Sequence, residues 1–216
     1  MALVAQIFTR LLVWVVAAPV HELAHAWSAS RLGDTTAERE GRLTLNPLAH
    51  MEPIGTLFLA VAGFGWAKPV PVNPYYLRYG PRTGMLIVSL AGPLANLLLA
   101  ILFAIPVRLG LVELSSGQYL GFIPYPSTFL FWAIYLNILL LFFNLLPIAP
   151  LDGFAVLSGL LPADLAYRWE QTRQWGMFVL MGLVFLGYFT RLSLLNLILD
   201  PPMKALFYVL TGTSLY

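Results

Sequence analysis

Charge along this chain is confined to short stretches, and the apolar runs between them mark five segments. Segment A extends from about Ala2 to Ser30, broken only by Arg10 and by the group VHELAHAW at residues 20–27. The polar stretch RLGDTTAEREGRLTLNPLAH follows it. Segment B is the uncharged run Pro53–Ala67, and segment C is Thr83–Val107. Segment D lies in the uncharged run Leu114–Leu151 and is expected to be helical from about Ser127. Segment E, Gln174–Thr190, precedes Arg191 and an apolar tail interrupted by DPPMK.

A helix that crosses the hydrocarbon layer needs ~20 apolar residues. Segments A, C and D meet that length, and E meets it if Arg191 snorkels to the interface. Segment B is too short at 15 residues and carries Gly55, Gly63 and Gly65. It runs into KPVPVNP, whose alternate prolines favour extended backbone and cannot continue a helix. B is therefore expected to dip into the membrane and return, because non-helical backbone at that depth must be buried in protein or line a wet cavity. The tail from Leu192 to Tyr216, with Pro201 and Pro202, either lies along the interface or makes a final short crossing. The expected fold class is an all-α polytopic membrane protein with about 4–6 transmembrane helices and a re-entrant or β-hairpin element after the first helix.

Composition fits this pattern. The chain is 59% hydrophobic and only 10% charged, against roughly a quarter charged in soluble domains. Residues 1–216 read as one membrane-embedded domain without a sizeable aqueous module. The net charge of +2 is dispersed between apolar runs, which speaks against nucleic acid as a partner. Cysteine is absent, so disulfides, thiolate chemistry and cysteine metal ligands are excluded. LLVWVVAAPV has the short apolar core of a signal peptide, but cleavage there would discard the helix leading into the histidines.

Two histidines and a glutamate within segment A carry the chemistry. On a helix, positions i and i+4 share a face, so His21 and His25 can offer two imidazoles to one metal ion. Glu22 lies about 100° round the helix, in reach of a water on that metal without ligating it. HExxH also occurs by chance in exposed helices, but ionisable groups inside a membrane helix are costly and usually functional. Catalytic zinc takes three protein ligands and one open position, so a third donor is required. The other acids and histidines near apolar segments are few: His50 and Glu52 at the edge of B, and Asp152 at the end of D. Asp152 closes NLLPIAPLDG, residues 144–153, whose prolines open the helix and let the carboxylate turn inward. An Asp-Gly pair alone would read as an ordinary turn. Beside an incomplete zinc site, it reads as the missing ligand. His50 and Glu52 are expected at the interface.

Topology supports that choice. If B crossed the membrane, A and D would run in opposite directions and Asp152 would lie on the face away from His25. If B returns, they run the same way, and His21 and His25 lie ~15 and ~9 Å in from Arg31. The basic residues agree, since a re-entrant B gathers Arg31, Arg39, Arg42, Lys68, Arg78, Arg82, Arg168 and Arg173 on one face. Arg108 and Arg191 lie on the other, with Arg10 and Lys204 also assignable there. The richer face is expected in the cytoplasm, which places a multi-pass protein in the cell membrane with its site opening to that side.

HExxH, then SLAGPLANLLLA, then NLLPIAPLDG resembles, in that order, the site-2 protease family of intramembrane zinc metalloproteases. The resemblance covers about residues 2–161, a catalytic core, with C-terminal helices over about 162–216. It implies one zinc ion held by His21, His25 and Asp152, with Glu22 as the catalytic acid and base. It also implies that Asn144 orients substrate or stabilises an oxyanion. Residue chemistry alone leaves open whether Asn144 instead satisfies carbonyls freed by Pro147 and Pro150. GFGWAKPVPVNP looks like the family's membrane-dipping hairpin, thought to guide the substrate strand. No transmembrane helix is expected before the HExxH helix, and no PDZ or nucleotide-binding regulatory domain. The implied partners are the lipid bilayer and transmembrane protein substrates, cut in regulated intramembrane proteolysis.

Smaller features receive plainer readings. Gly92 is expected to serve close helix packing, and Asn96 to make a cross-helix hydrogen bond. Trp66, Tyr75, Tyr76 and Tyr79 fit an interfacial aromatic belt. Two competing functions remain: a catalytically silent protein that binds membrane clients, and a metal transporter. Glu22 has no use in the first, and the second needs several ligand clusters where the sequence offers one.

Overall fold

The computed structural model describes residues 2–52, 55, 67–190 and 193–215. Among these residues the chain forms nine α-helices and one two-stranded sheet. Helix α1 is Ala2–Arg31, followed by the short α2 (Thr36–Arg39) and α3 (Pro47–His50). A 3-10 turn at Pro74–Tyr76 leads into α4, Gly80–Arg108. Strands β1 (Tyr119–Leu120) and β2 (Ile123–Pro124) precede α5, Pro126–Asn144. Then come α6 (Asp152–Leu160), α7 (Ala163–Gln171), α8 (Arg173–Thr190) and α9 (Leu194–Thr211). Four of them, α1, α4, α5 and α9, are long and apolar enough to cross a membrane.

Segments A, C, D and E thus correspond to α1, α4, α5 and α8. The tail is helical straight through Pro201 and Pro202 and matches the final-crossing alternative in length and composition. Segment B, apart from Gly55 and Ala67, lies outside the described residues, as does Trp66. The small antiparallel sheet is elsewhere, just before α5, pairing Tyr119 with Pro124 and Leu120 with Ile123. Gly121 turns its corner with φ +65°, a conformation that suits a residue without Cβ.

Contacts fix the helix directions. His21 and His25 of α1 meet Asn96 and Val88 of α4, so the two helices are antiparallel. Asn96 and Phe103 of α4 meet Asn137 and Phe129 of α5, which reverses direction again. Helices α1 and α5 are therefore parallel, and the Arg10 guanidinium lies 4.2 Å from the centre of the Trp132 ring between them. At the other end of α1, the Arg78 N–H donates to the Leu32 carbonyl at 2.8 Å. The chain between α1 and α4 thus starts and finishes on one side. Its middle does the same, because the Lys68 N–H donates to the His50 carbonyl at 2.8 Å. The Lys68 carbonyl in turn accepts from Arg42 Nη2 at 2.5 Å. His50 and Lys68 therefore meet, as do Leu32 and Arg78, which agrees with the parallel run of α1 and α5.

Small residues let the helices approach. Without a water-driven term between helices in lipid, association rests on close packing and interhelical hydrogen bonds. Ala100 and Ala104 of α4 face Ile134 and Ile138 of α5, with Leu199, Met203 and Phe207 of α9 completing the cluster. The break after α5 is equally tight. A Cβ on Gly153 would strike the Leu145 and Leu146 carbonyls, so glycine lets the first turn of α6 lie directly on that loop. At the other end of α6, Arg82 of α4 donates to the carbonyls of Ser158 and Leu161. These last-turn carbonyls have no partner within the helix, and a cation there also complements the helix dipole. Asp152, the first residue of α6, is thereby held from both sides.

Candidate metal centre

His21 and His25 are buried on α1, and Asp152 reaches them from the start of α6. The two Nε2 atoms lie 3.0 Å apart. Asp152 Oδ2 stands 3.2 Å from that of His21 and 3.3 Å from that of His25. The imidazole planes meet at 85°, so each lone pair can aim at a common point.

Hydrogen bonds at the far ring nitrogens decide what those three atoms offer. His25 Nδ1 faces the Val88 carbonyl at 2.7 Å; a carbonyl only accepts, so Nδ1 carries the proton. His21 Nδ1 faces Asn96 Oδ1 at 2.6 Å and donates likewise. In the neutral rings both Nε2 atoms are then bare, and the third atom is a carboxylate oxygen. Asp152 Oδ2 is buried and has no hydrogen-bond partner. With both rings neutral, three lone-pair donors converge with no hydrogen among them, an arrangement that a metal cation relieves. The spacing fits zinc, since bonds of 2.0–2.1 Å in a tetrahedron give an edge of ~3.3–3.4 Å. Two imidazoles and one carboxylate are also a donor set that leaves zinc a fourth position.

Helix α4 forms the floor. A Cβ placed on Gly92 would strike His25 Nε2 and come within 2.6 Å of His21 Nε2. Gly92 therefore does more than let two helices approach, because it makes room for the imidazole tips themselves. Asn96 makes the expected cross-helix bond, and its partner is a candidate ligand.

Glu22 follows His21 on α1, half-buried, and is not one of the three converging groups. Asn144 is half-buried at the end of α5, with Nδ2 donating to the Leu140 carbonyl at 3.0 Å. That carbonyl belongs to its own helix rather than to the turn opened by Pro147 and Pro150. His50 is buried within the protein and stands outside the triad, with Nε2 donating to the Thr44 carbonyl at 2.8 Å. Tyr75, Tyr76 and Tyr79 are exposed near the end of α1, as an aromatic belt would be. Sequence reasoning missed two contributors. The Val88 carbonyl has no side-chain signal, whereas Asn137, a lone amide in the apolar run FWAIYLNILL, could have been found as an intramembrane polar residue.

A polytopic helical membrane protein with a buried His–His–Asp donor set is the class these features define. The family model described as peptidase family M50 matches residues 110–188, a range that contains Asn144 and Asp152. The chain is 39% identical over 189 residues to "Putative zinc metalloprotease YwhC" of Bacillus subtilis, covering 84% of this chain and 83% of that protein. It is 33% identical over 183 residues to "Putative zinc metalloprotease Rip2" of Mycolicibacterium smegmatis, covering 79% of this chain and 64% of that one. Rip2 of Mycobacterium tuberculosis is 34% identical over 151 residues, 67% of this chain and 54% of the relative. No solved structure matches the chain significantly. The chain belongs to peptidase family M50, the site-2 protease family, and is a membrane metalloprotease.

Proposed function

We propose that this chain is an intramembrane zinc metalloprotease that hydrolyses peptide bonds within or near transmembrane segments of membrane proteins, as in regulated intramembrane proteolysis. The observation that carries the reading is the convergence of three hydrogen-free donors, His21, His25 and Asp152, within a frame of membrane-length helices. One zinc per chain would sit among them. When bound, zinc supplies a Lewis acid that activates a water for attack and polarises the scissile carbonyl.

Glu22 is assigned the proton traffic: it takes a proton from the attacking water and returns one to the leaving amine. Asn144 uses one amide hydrogen within its own helix and keeps a second to orient the substrate or its oxyanion. A substrate helix hides its carbonyls in i to i−4 bonds and must unwind before any of this can act. The basic side of the molecule is assigned to the cytoplasm, in the cell membrane, so water would reach the site from there. We assign residues 1–216 to one membrane-embedded domain.

Purified wild type and Glu22→Gln, compared for zinc content and for cleavage of a transmembrane test substrate, separate the readings. Glu22→Gln is expected to keep one zinc and lose about 10²–10⁴-fold in kcat, the usual worth of general acid–base catalysis. Wild type that holds zinc but cuts no faster than Glu22→Gln would point to a silent client-binding protein. Weak, exchangeable zinc in wild type would point to transport.

A further inference from the structure

Behind His21 a line of amides runs through the membrane interior. Asn96 Nδ2 donates to Asn137 Oδ1 at 2.9 Å, and Asn137 Nδ2 donates to the Ala133 carbonyl at 2.8 Å. Both asparagines are fully buried, one on α4 and one on α5. The terminal group fixes the polarity of the whole line. A backbone carbonyl can only accept, so Asn137 must present its Nδ2 there and its Oδ1 to Asn96. Asn96 must then turn its Nδ2 toward Asn137, which leaves its Oδ1 for His21. His21 consequently carries its proton on Nδ1 and a bare lone pair on Nε2, the atom that faces Asp152.

The opposite amide orientation would undo this. Were Asn96 flipped, its Nδ2 hydrogens would face His21 Nδ1, the imidazole proton would move to Nε2, and the ring could not ligate through that atom. We propose that Asn137 is a positioning residue for the metal centre: acting through Asn96, it locks His21 in the tautomer that binds metal. The assignment rests on the reading of His21 as a zinc ligand. It gives a function to an amide placed where lipid-embedded helices rarely keep polar groups without cause.

The test is zinc affinity of the full-length protein in detergent, measured by chelator competition and supported by the cobalt absorption spectrum. Partners that orient a ligating histidine are worth about 10–100-fold in metal affinity. Asn137→Leu, similar in size and unable to accept, is expected to weaken zinc by that amount. Asn137→Asp is expected to bind nearly as wild type, because a buried carboxylic acid keeps an O–H for the Ala133 carbonyl and an acceptor for Asn96. Asn96→Ala combined with Asn137→Leu should be no weaker than Asn96→Ala alone, since the effect of Asn137 passes through Asn96. Wild-type affinity in Asn137→Leu would overturn the proposal, as would losses that add in the double variant. Asn137→Ala carries the same expectation if Asn137→Leu does not fold. His21→Ala is the control: unchanged zinc there would remove the metal-site reading itself, whereas lost zinc there beside an unaffected Asn137→Leu removes only the relay.

Discussion

Gly92→Ala is expected to abolish zinc binding while leaving α4 helical. Elsewhere in a helix interior this substitution is favourable by about 1 kcal/mol, because alanine loses less backbone entropy than glycine. Here the added methyl falls on the two Nε2 atoms of His21 and His25. The rings can escape only by swinging away, and each is tethered behind, His21 to Asn96 and His25 to the Val88 carbonyl. Relief of the clash therefore breaks those bonds and separates the lone pairs. Elemental analysis of the purified variant should find near-zero zinc per chain, with cleavage lost in parallel and helical circular dichroism unchanged. One tightly held zinc in Gly92→Ala would mean that the imidazole tips do not rest on α4.

Asp152→Ala carries the second large effect. A fully ligated structural zinc site is worth about 10–16 kcal/mol, or ~2.5–4 kcal/mol for each of four ligands. Removing one donor should weaken zinc by about 10²–10³-fold. Asp152→Asn separates charge from shape, since it retains an oxygen in place but gives up the negative charge. It should fall between wild type and Asp152→Ala in affinity. Zinc binding by Asp152→Ala at wild-type strength would require a different third ligand, and chelator titration of the three proteins distinguishes the cases.

Much of this architecture could be read from the charge pattern. Membrane helices are long, continuous and apolar because no backbone polar group can go unpaired in lipid. Their ends therefore fall close to the charges: segment C, Thr83–Val107, became Gly80–Arg108, and segment D from about Ser127 became Pro126–Asn144. HExxH and Asp152 stood out for the same reason, as ionisable groups in places that penalise them. What stayed hidden depends on contacts between helices. Gly92 reads like any small residue at a packing face until the neighbouring helix places two imidazoles against it. The burial of His50 and its bond to the Thr44 carbonyl likewise depend on a fold of the polar stretch that its sequence does not announce. Residues 119–124 carry no strong strand signal, and their pairing rests on a turn at Gly121 that two short strands close.

The bond from Lys68 to the His50 carbonyl has an evolutionary and practical corollary. It joins the two ends of the intervening sequence at one point. Ends fixed together at one point make convenient junctions, since an exchange between them leaves both in place. His50 and Lys68 thus mark a pair of splice points: homologous stretches from relatives can be grafted between them with both junctions held together.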